Sequence, residues 1–142
     1  MAPPGMQCGD VISIFDYEFT DGSTADSKYF VVMGYHLGQA LGFLTTSKEK
    51  GGRQRRDGCH IEYGNYAPNF YFSQKNTPFS GGTWVLLWVE FHDAVTLANK
   101  LREGKAVRVH TLPEQTVRAL RNCFEKCPDW APIYSTCTCG GK

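Results

Sequence analysis

The chain has 142 residues, 42% of them hydrophobic and 20% charged, with a formal net charge of +1. That length suits one domain, able to bury roughly two-thirds of its extended surface, and the near-neutral balance excludes a histone-like protein that coats nucleic acid. No apolar run approaches the ~20 residues of a membrane span and no secretory h-region follows the N-terminus, so no membrane partner and a cytoplasmic location are expected.

"MAPPGMQ" reads as a loose leader, and "GDVISIFDYEFT" as the first strand. Val11, Ser13, Phe15 and Tyr17 fall on one face of it, and Ile12, Ile14 and Asp16 on the other. Apolar groups on both faces fit a small barrel or a sheet with a partner. Asp21-Gly22 marks a turn, "KYFVVMG" a second strand and "ALGFLTTS" a third, with "YHLGQ" between them. "CHIEYGN" and "NFYFSQ" are weaker strands in a region bounded by Pro68 and Pro78, which confines them to edges or turns.

"GGTWVLLWVEF" is the surest strand, with Trp84, Leu86 and Trp88 on one face and Val85, Leu87 and Val89 on the other. Such a strand must be covered twice, by the core and by a helix or a second subunit. "HDAVTLANKLREG" predicts two or three helical turns with Gly104 at C′. "TLPEQTVRALRNCFEKC" predicts another helix, with a capping-box spacing at Thr111 and Glu114 and Pro113 in its first turn. Val117, Leu120, Phe124 and Cys127 form its apolar stripe, and Pro128 ends it. The expected architecture is mainly β: five to seven short strands, a capping helix within residues 1–127, and an irregular Cys-containing tail over 128–142.

The charge is unevenly spread. Lys48, Lys50, Arg53, Arg55 and Arg56 crowd the segment that follows the hydroxyls of Thr45, Thr46 and Ser47. Arginines present planar forks to phosphate oxygens, and Gly51 and Gly52 keep that backbone adaptable; the plainer reading is a solvated loop. His36, His60, His92 and His110 show no metal-triplet spacing and no "HExxH", so neither metal nor cofactor is expected. His60, just past the arginines, ranks first as an acid or base. His92-Asp93 reads either as an acid–base pair or as a helix cap beside a surface imidazole.

Six cysteines are many for a reducing compartment. Cys123, Cys127, Cys137 and Cys139 are candidates for a zinc quartet, for a disulfide to the tail, or, for Cys127, for plain core. Phe70, Tyr71, Phe72 and Phe79 either stack bases or fill the interior.

Together, "GDVISIFDYEFTDGSTADSKYFVVMG", "LGFLTTS", "TWVLLWVEFHDAVTLANKL" and "LPEQTVRALRNC" resemble the PemK/MazF-type toxin endoribonucleases of bacterial toxin–antitoxin modules, over about residues 9 to 125. The resemblance implies an SH3-like barrel, usually dimeric. It implies metal-independent cleavage of single-stranded RNA through attack by the ribose 2′-OH, and an antitoxin protein that blocks the RNA groove. The family's Thr-Ser threonine maps onto Thr46, with Ser47 beside it. Where the family carries a catalytic Arg-Pro at the head of its second strand, this chain has Tyr29-Phe30, with Lys28 just before. The implied site is therefore Thr46 and Ser47 on phosphate, Lys28 with Arg53 or Arg55 for charge, and His60 as acid or base. The competing expectation is a non-catalytic SH3-like module that binds nucleic acid or a peptide.

Overall fold

Two hairpins open the structure, a computed structural model that describes residues 6–47, 55–61, 68–73 and 82–127. β1 (Asp10–Glu18) turns into β2 (Thr24–His36) through Asp21-Gly22, where the Asp21 carboxylate accepts from the Ser23 amide and hydroxyl at 2.9 and 2.6 Å. β2 turns into β3 (Gln39–Thr46) through Leu37 and Gly38, both at positive φ (51° and 80°). Two consecutive left-handed residues match the right-handed twist of the flanking strands. Glycine takes that conformation without cost and Leu37 does not.

The remaining strands are β4 (Gly58–His60), β5 (Asn69–Phe72), β6 (Thr83–Leu86), β7 (Glu90–Asp93) and β8 (Ala106–Thr111). Every pairing is antiparallel, in the order β4-β5-β6-β3-β2-β1-β8, with β7 also on β3. The fold is thus mainly β, with eight strands among the described residues rather than five to seven. Among the described residues the path is open, ending at β4 and β8, and does not close into a barrel.

Two helices cover the sheet on opposite faces, and this explains the apolar groups on both sides of β1. α2 (Glu114–Glu125) lays Val117, Leu120 and Phe124 against Val11, Val31, Phe43 and Val85. α1 (Ala94–Glu103) lays Ala94 and Leu97 against Ile12, Ile14, Phe30 and Leu44. Up to Asp16 in β1 and the bulge between Val32 and Gly34 in β2, alternation sends odd-numbered residues to the α2 side and even-numbered ones to the α1 side; past that bulge Tyr35, opposite Ala40 of β3, falls on the α1 side. A disulfide between Cys59 on β4 and Cys123 on α2 ties the far edge of the sheet to its covering helix. Cys123 is therefore not a zinc ligand, and no group of metal-binding side chains occurs among the described residues. Cys137 and Cys139 lie outside those residues. Cys127 is buried in the α2 cluster, as the stripe predicts.

Four local expectations are corrected. "TWVLLWVEF" is two strands, because β3 gives Thr45 and Thr46 to β6 and Gln39–Gly42 to β7, and the chain bends between them. Leu87 is buried at that bend and Trp88 is 43% exposed, so Trp84 and Trp88 do not share an environment. Thr111 does not cap α2. It ends β8 and its hydroxyl donates to Asp10 Oδ1 at 2.7 Å, leaving Pro113 at the N-cap with no side-chain cap bond. Finally, Asp16 stands at φ 51°, which reverses the alternation of β1: Tyr17 joins Ile12 and Ile14 on the α1 side, while Phe15 is exposed. α1 itself is as expected, with Asp93 accepting from the Thr96 amide and Gly104 left-handed at its C-terminus.

Candidate functional site

The α1 side of the sheet gathers the polar side chains of interest near the ends of β2 and β3. Lys28 follows the exposed start of β2 and lies opposite Ile14 on β1. Its half-buried side chain reaches across to β3, where Nζ donates to the Thr45 carbonyl at 2.9 Å. An ammonium carries three donors, and this bond uses one of them to fix the cation at the strand end. Thr46, the next residue, is half-buried and in register with Trp84, and Ser47 is exposed. The buried Thr45 points to the α2 side, so Thr46 is the strand-end threonine that shares a face with Lys28.

Arg55, Arg56 and His60 stand elsewhere. They flank β4, and β5 and β6 intervene between β4 and Thr46. Arg55 and Arg56 are exposed. His60 is 3% exposed, with Nε2 at 2.6 Å from the Arg56 carbonyl and Nδ1 at 3.5 Å from the Arg56 guanidinium. In the tautomer that fits both, Nε2–H donates to the carbonyl and Nδ1 accepts. That imidazole fastens the turn into β4 and presents neither nitrogen to solvent. Arg53, Lys48 and Lys50 lie outside the described residues. Of the expected base-stacking aromatics, Tyr71 and Phe72 are buried and Phe70 packs against the α2 core; Phe79 lies outside the described residues.

A second polar group shares the Lys28 face and was only partly legible. The Tyr17 hydroxyl lies 2.9 Å from His92 Nε2 and 3.4 Å from Glu90 Oε1. β7 brings Glu90 and His92 to one face because they are two residues apart, opposite Gly42 and Ala40 of β3. The Phe30 ring, two residues along β2 from Lys28, meets the His92 ring edge-on at 4.7 Å. Gly42 makes room for it: a Cβ there would stand 2.8 and 2.9 Å from two Phe30 ring carbons. His92-Asp93 is consequently not an acid–base pair. Asp93 caps α1, and His92 turns inward to Tyr17.

The surroundings set the protonation of this group. Burial, with a smaller contribution from the Lys100 charge, holds His92 down to a pKa of about 4, so the imidazole is neutral at pH 7. Burial also raises Glu90 above the ordinary carboxylate value, partly offset by the Tyr17 hydrogen bond. Tyr17 is pushed well above its usual value by burial first, then by the charge and hydrogen bond of Glu90. The phenol therefore keeps its proton between a neutral imidazole and a carboxyl group.

No family model, curated protein or solved structure matches the chain.

Proposed function

We propose that this protein is a toxin-like endoribonuclease that cuts single-stranded RNA without a metal ion. The observation that carries the reading is the Lys28 ammonium held 2.9 Å from the Thr45 carbonyl, on the face that carries the Thr46 side chain. A cation beside strand-end hydroxyls suits a phosphodiester: hydroxyls donate to the non-bridging oxygens while the ammonium offsets charge that grows in the transition state. Internal attack needs little else from the protein. The 2′ oxygen bonds to phosphorus, the bond to the 5′ oxygen breaks, and the products are a 2′,3′-cyclic phosphate and a 5′-hydroxyl.

Ser47 adds a second donor, and the exposed Arg55 extends the path for flanking phosphates rather than touching the scissile one. The buried imidazole of His60 takes no chemical role in this reading; it holds the arginine-bearing turn in place. The proposed partners are single-stranded RNA, an antitoxin protein that covers the same face and a second copy of the chain. The proposed location is the cytoplasm, and among the described residues no helix is long and apolar enough to cross a membrane. Free-thiol labelling in rapidly quenched cells tests that location through the state of the Cys59–Cys123 bond, since a fully oxidised pair argues against a reducing compartment.

The test is incubation of the purified protein with a single-stranded RNA in EDTA. Fragments ending in 2′,3′-cyclic phosphate are expected, and their absence would overturn the reading. Thr46→Ala is expected to slow cleavage by about a hundredfold, the range for loss of one transition-state donor. Its melting temperature should stay near that of the parent; a Thr46→Ala protein as fast as its parent removes Thr46 from the site. A second reading, a non-catalytic module that binds nucleic acid or peptide, is favoured by the absence of an arginine at the head of β2. Under it the same RNA is bound and remains intact.

A further inference from the structure

β1 and β2 run on together past the rest of the sheet. The pairing of β3 with β2 begins at Phe30, and β8 follows β1 as far as Ile14, with one further bond from the Phe15 amide to the Lys105 carbonyl. Beyond those points the backbone of the hairpin arm, residues 16–18 and 24–27, pairs only with itself among the described residues. One face of the arm is packed, since Tyr17 and Phe19 lie on the α1 cluster. Along β2, Thr24, Asp26 and Ser27 are exposed, and β3 ends at Thr46 without covering them. Strand amides and carbonyls that do not face a neighbour point outward, so residues 24–27 offer donors and acceptors to an added strand. The two ends of the sheet are poorer templates: β4 has three residues, and a bulge at Val11/Ile12 interrupts the pairing of β8.

The face beside this edge is apolar. Ser13 is the register partner of both Tyr29 and Val107, so the three form one row across β2, β1 and β8 on the α2 side. Phe15 stands two residues further along, opposite Ser27. Phe15, Tyr29 and Val107 are 42%, 39% and 44% exposed, because α2 covers the neighbouring Val11 and Val31 instead. The small Ser27 leaves the Phe15 ring open to a long side chain arriving from beyond β2. Charge selects the occupant. From Phe15 to Ser27 the chain carries Asp16, Glu18, Asp21 and Asp26, all exposed, and no Lys, Arg or His. Among the described residues none of the four is in an ion pair. Such an arm repels a nucleic acid and attracts Lys and Arg. We propose that the edge over residues 24–27 and the Phe15/Tyr29 face dock an extended, Lys/Arg-rich segment of a partner protein, which joins the sheet as a further strand on β2. Main-chain hydrogen bonds hold it, its alternate apolar side chains meet Tyr29 and Phe15, and its cations meet the carboxylates of the arm. This surface lies across the sheet from Lys28 and Thr46 and does not depend on the ribonuclease reading.

The probes are two fluorescein-labelled peptides, one alternating Lys with Val and the other Glu with Val. Each is titrated with the full chain by fluorescence anisotropy, and amide hydrogen exchange of the protein is followed in the same mixtures. The Lys-bearing peptide is expected to bind about tenfold more tightly than the Glu-bearing one, to weaken as salt is added, and to slow exchange at residues 24–27. Glu18→Lys combined with Asp26→Lys is expected to weaken that binding about tenfold, and Phe15→Ser by a similar factor. Their melting temperatures should stay near that of the parent, because all three side chains are exposed. Equal affinity for the two peptides, no binding of the Lys-bearing one, or protection confined to other strands overturns the proposal. So does protection of residues 24–27 by a single-stranded RNA, or by raising the protein concentration without peptide, which would give the edge to RNA or to a second copy. Should a variant not fold, the exchange pattern of the parent protein decides.

Discussion

His92 illustrates how a side chain's surroundings carry a measurable signature. Its imidazole has a folded pKa of about 4 against 6.5 for the free side chain, mainly through burial between Phe30 and Tyr17. Between these two values the unfolded chain binds a proton that the folded one refuses, so stability rises with pH across that window. The parent protein is expected to lose stability as pH falls from about 6.5 towards 4. His92→Gln is expected to flatten that slope, as read from urea unfolding at a series of pH values; an equally steep slope in the variant would assign the acid sensitivity elsewhere. The same residue shows what sequence discloses and withholds. Glu90 and His92 share a face by strand alternation, so their pairing was legible in "EFHD". Tyr17 was not. A single left-handed residue, Asp16, reverses its side, and no local pattern announces that.

Among the elements, β3 is the one on which the others depend, since it pairs with β2, β6 and β7. Its Gly42 lies where the Phe30 ring crosses the strand, and an added methyl would also press on the Val31 carbonyl. Gly42→Ala is therefore expected to cost about 1–3 kcal/mol, the range for overpacking a well-filled interior. A melting temperature unchanged by that substitution would mean that the ring has another place to go. Strands 1 to 3 and both helices were legible because their hydrophobic periods and turn residues are strong and local. The division of "TWVLLWVEF" was not, because it follows from two different stretches of β3 claiming the two halves of that segment. The displaced capping box has a similar origin: the buried Asp10 carboxylate, which also accepts from the Gln7 amide at 2.8 Å, holds the Thr111 hydroxyl.

At the scale of the molecule, the sheet is covered by α1 and α2, and both faces of β6 are occupied within the chain. The case for the proposed second copy therefore passes from that strand to the segment after it, where Trp88 at the bend and Phe91 on β7 are 43% and 48% exposed. Exposed aromatics of this kind are favoured anchors of protein interfaces. Light scattering is expected to give twice the 15.9 kDa chain mass, and Trp88→Glu to return it to one chain. A parent protein at 15.9 kDa at micromolar concentration would overturn the proposed dimer.

The Cys59–Cys123 bond spans 64 residues and encloses β5, β6, β7, α1 and β8, along with most of α2. A protease that nicks the backbone anywhere within that span leaves two fragments still joined covalently. They travel as one species on a gel without reductant and separate when a thiol is added, so a sample can carry a broken chain unnoticed until its sulfurs are reduced.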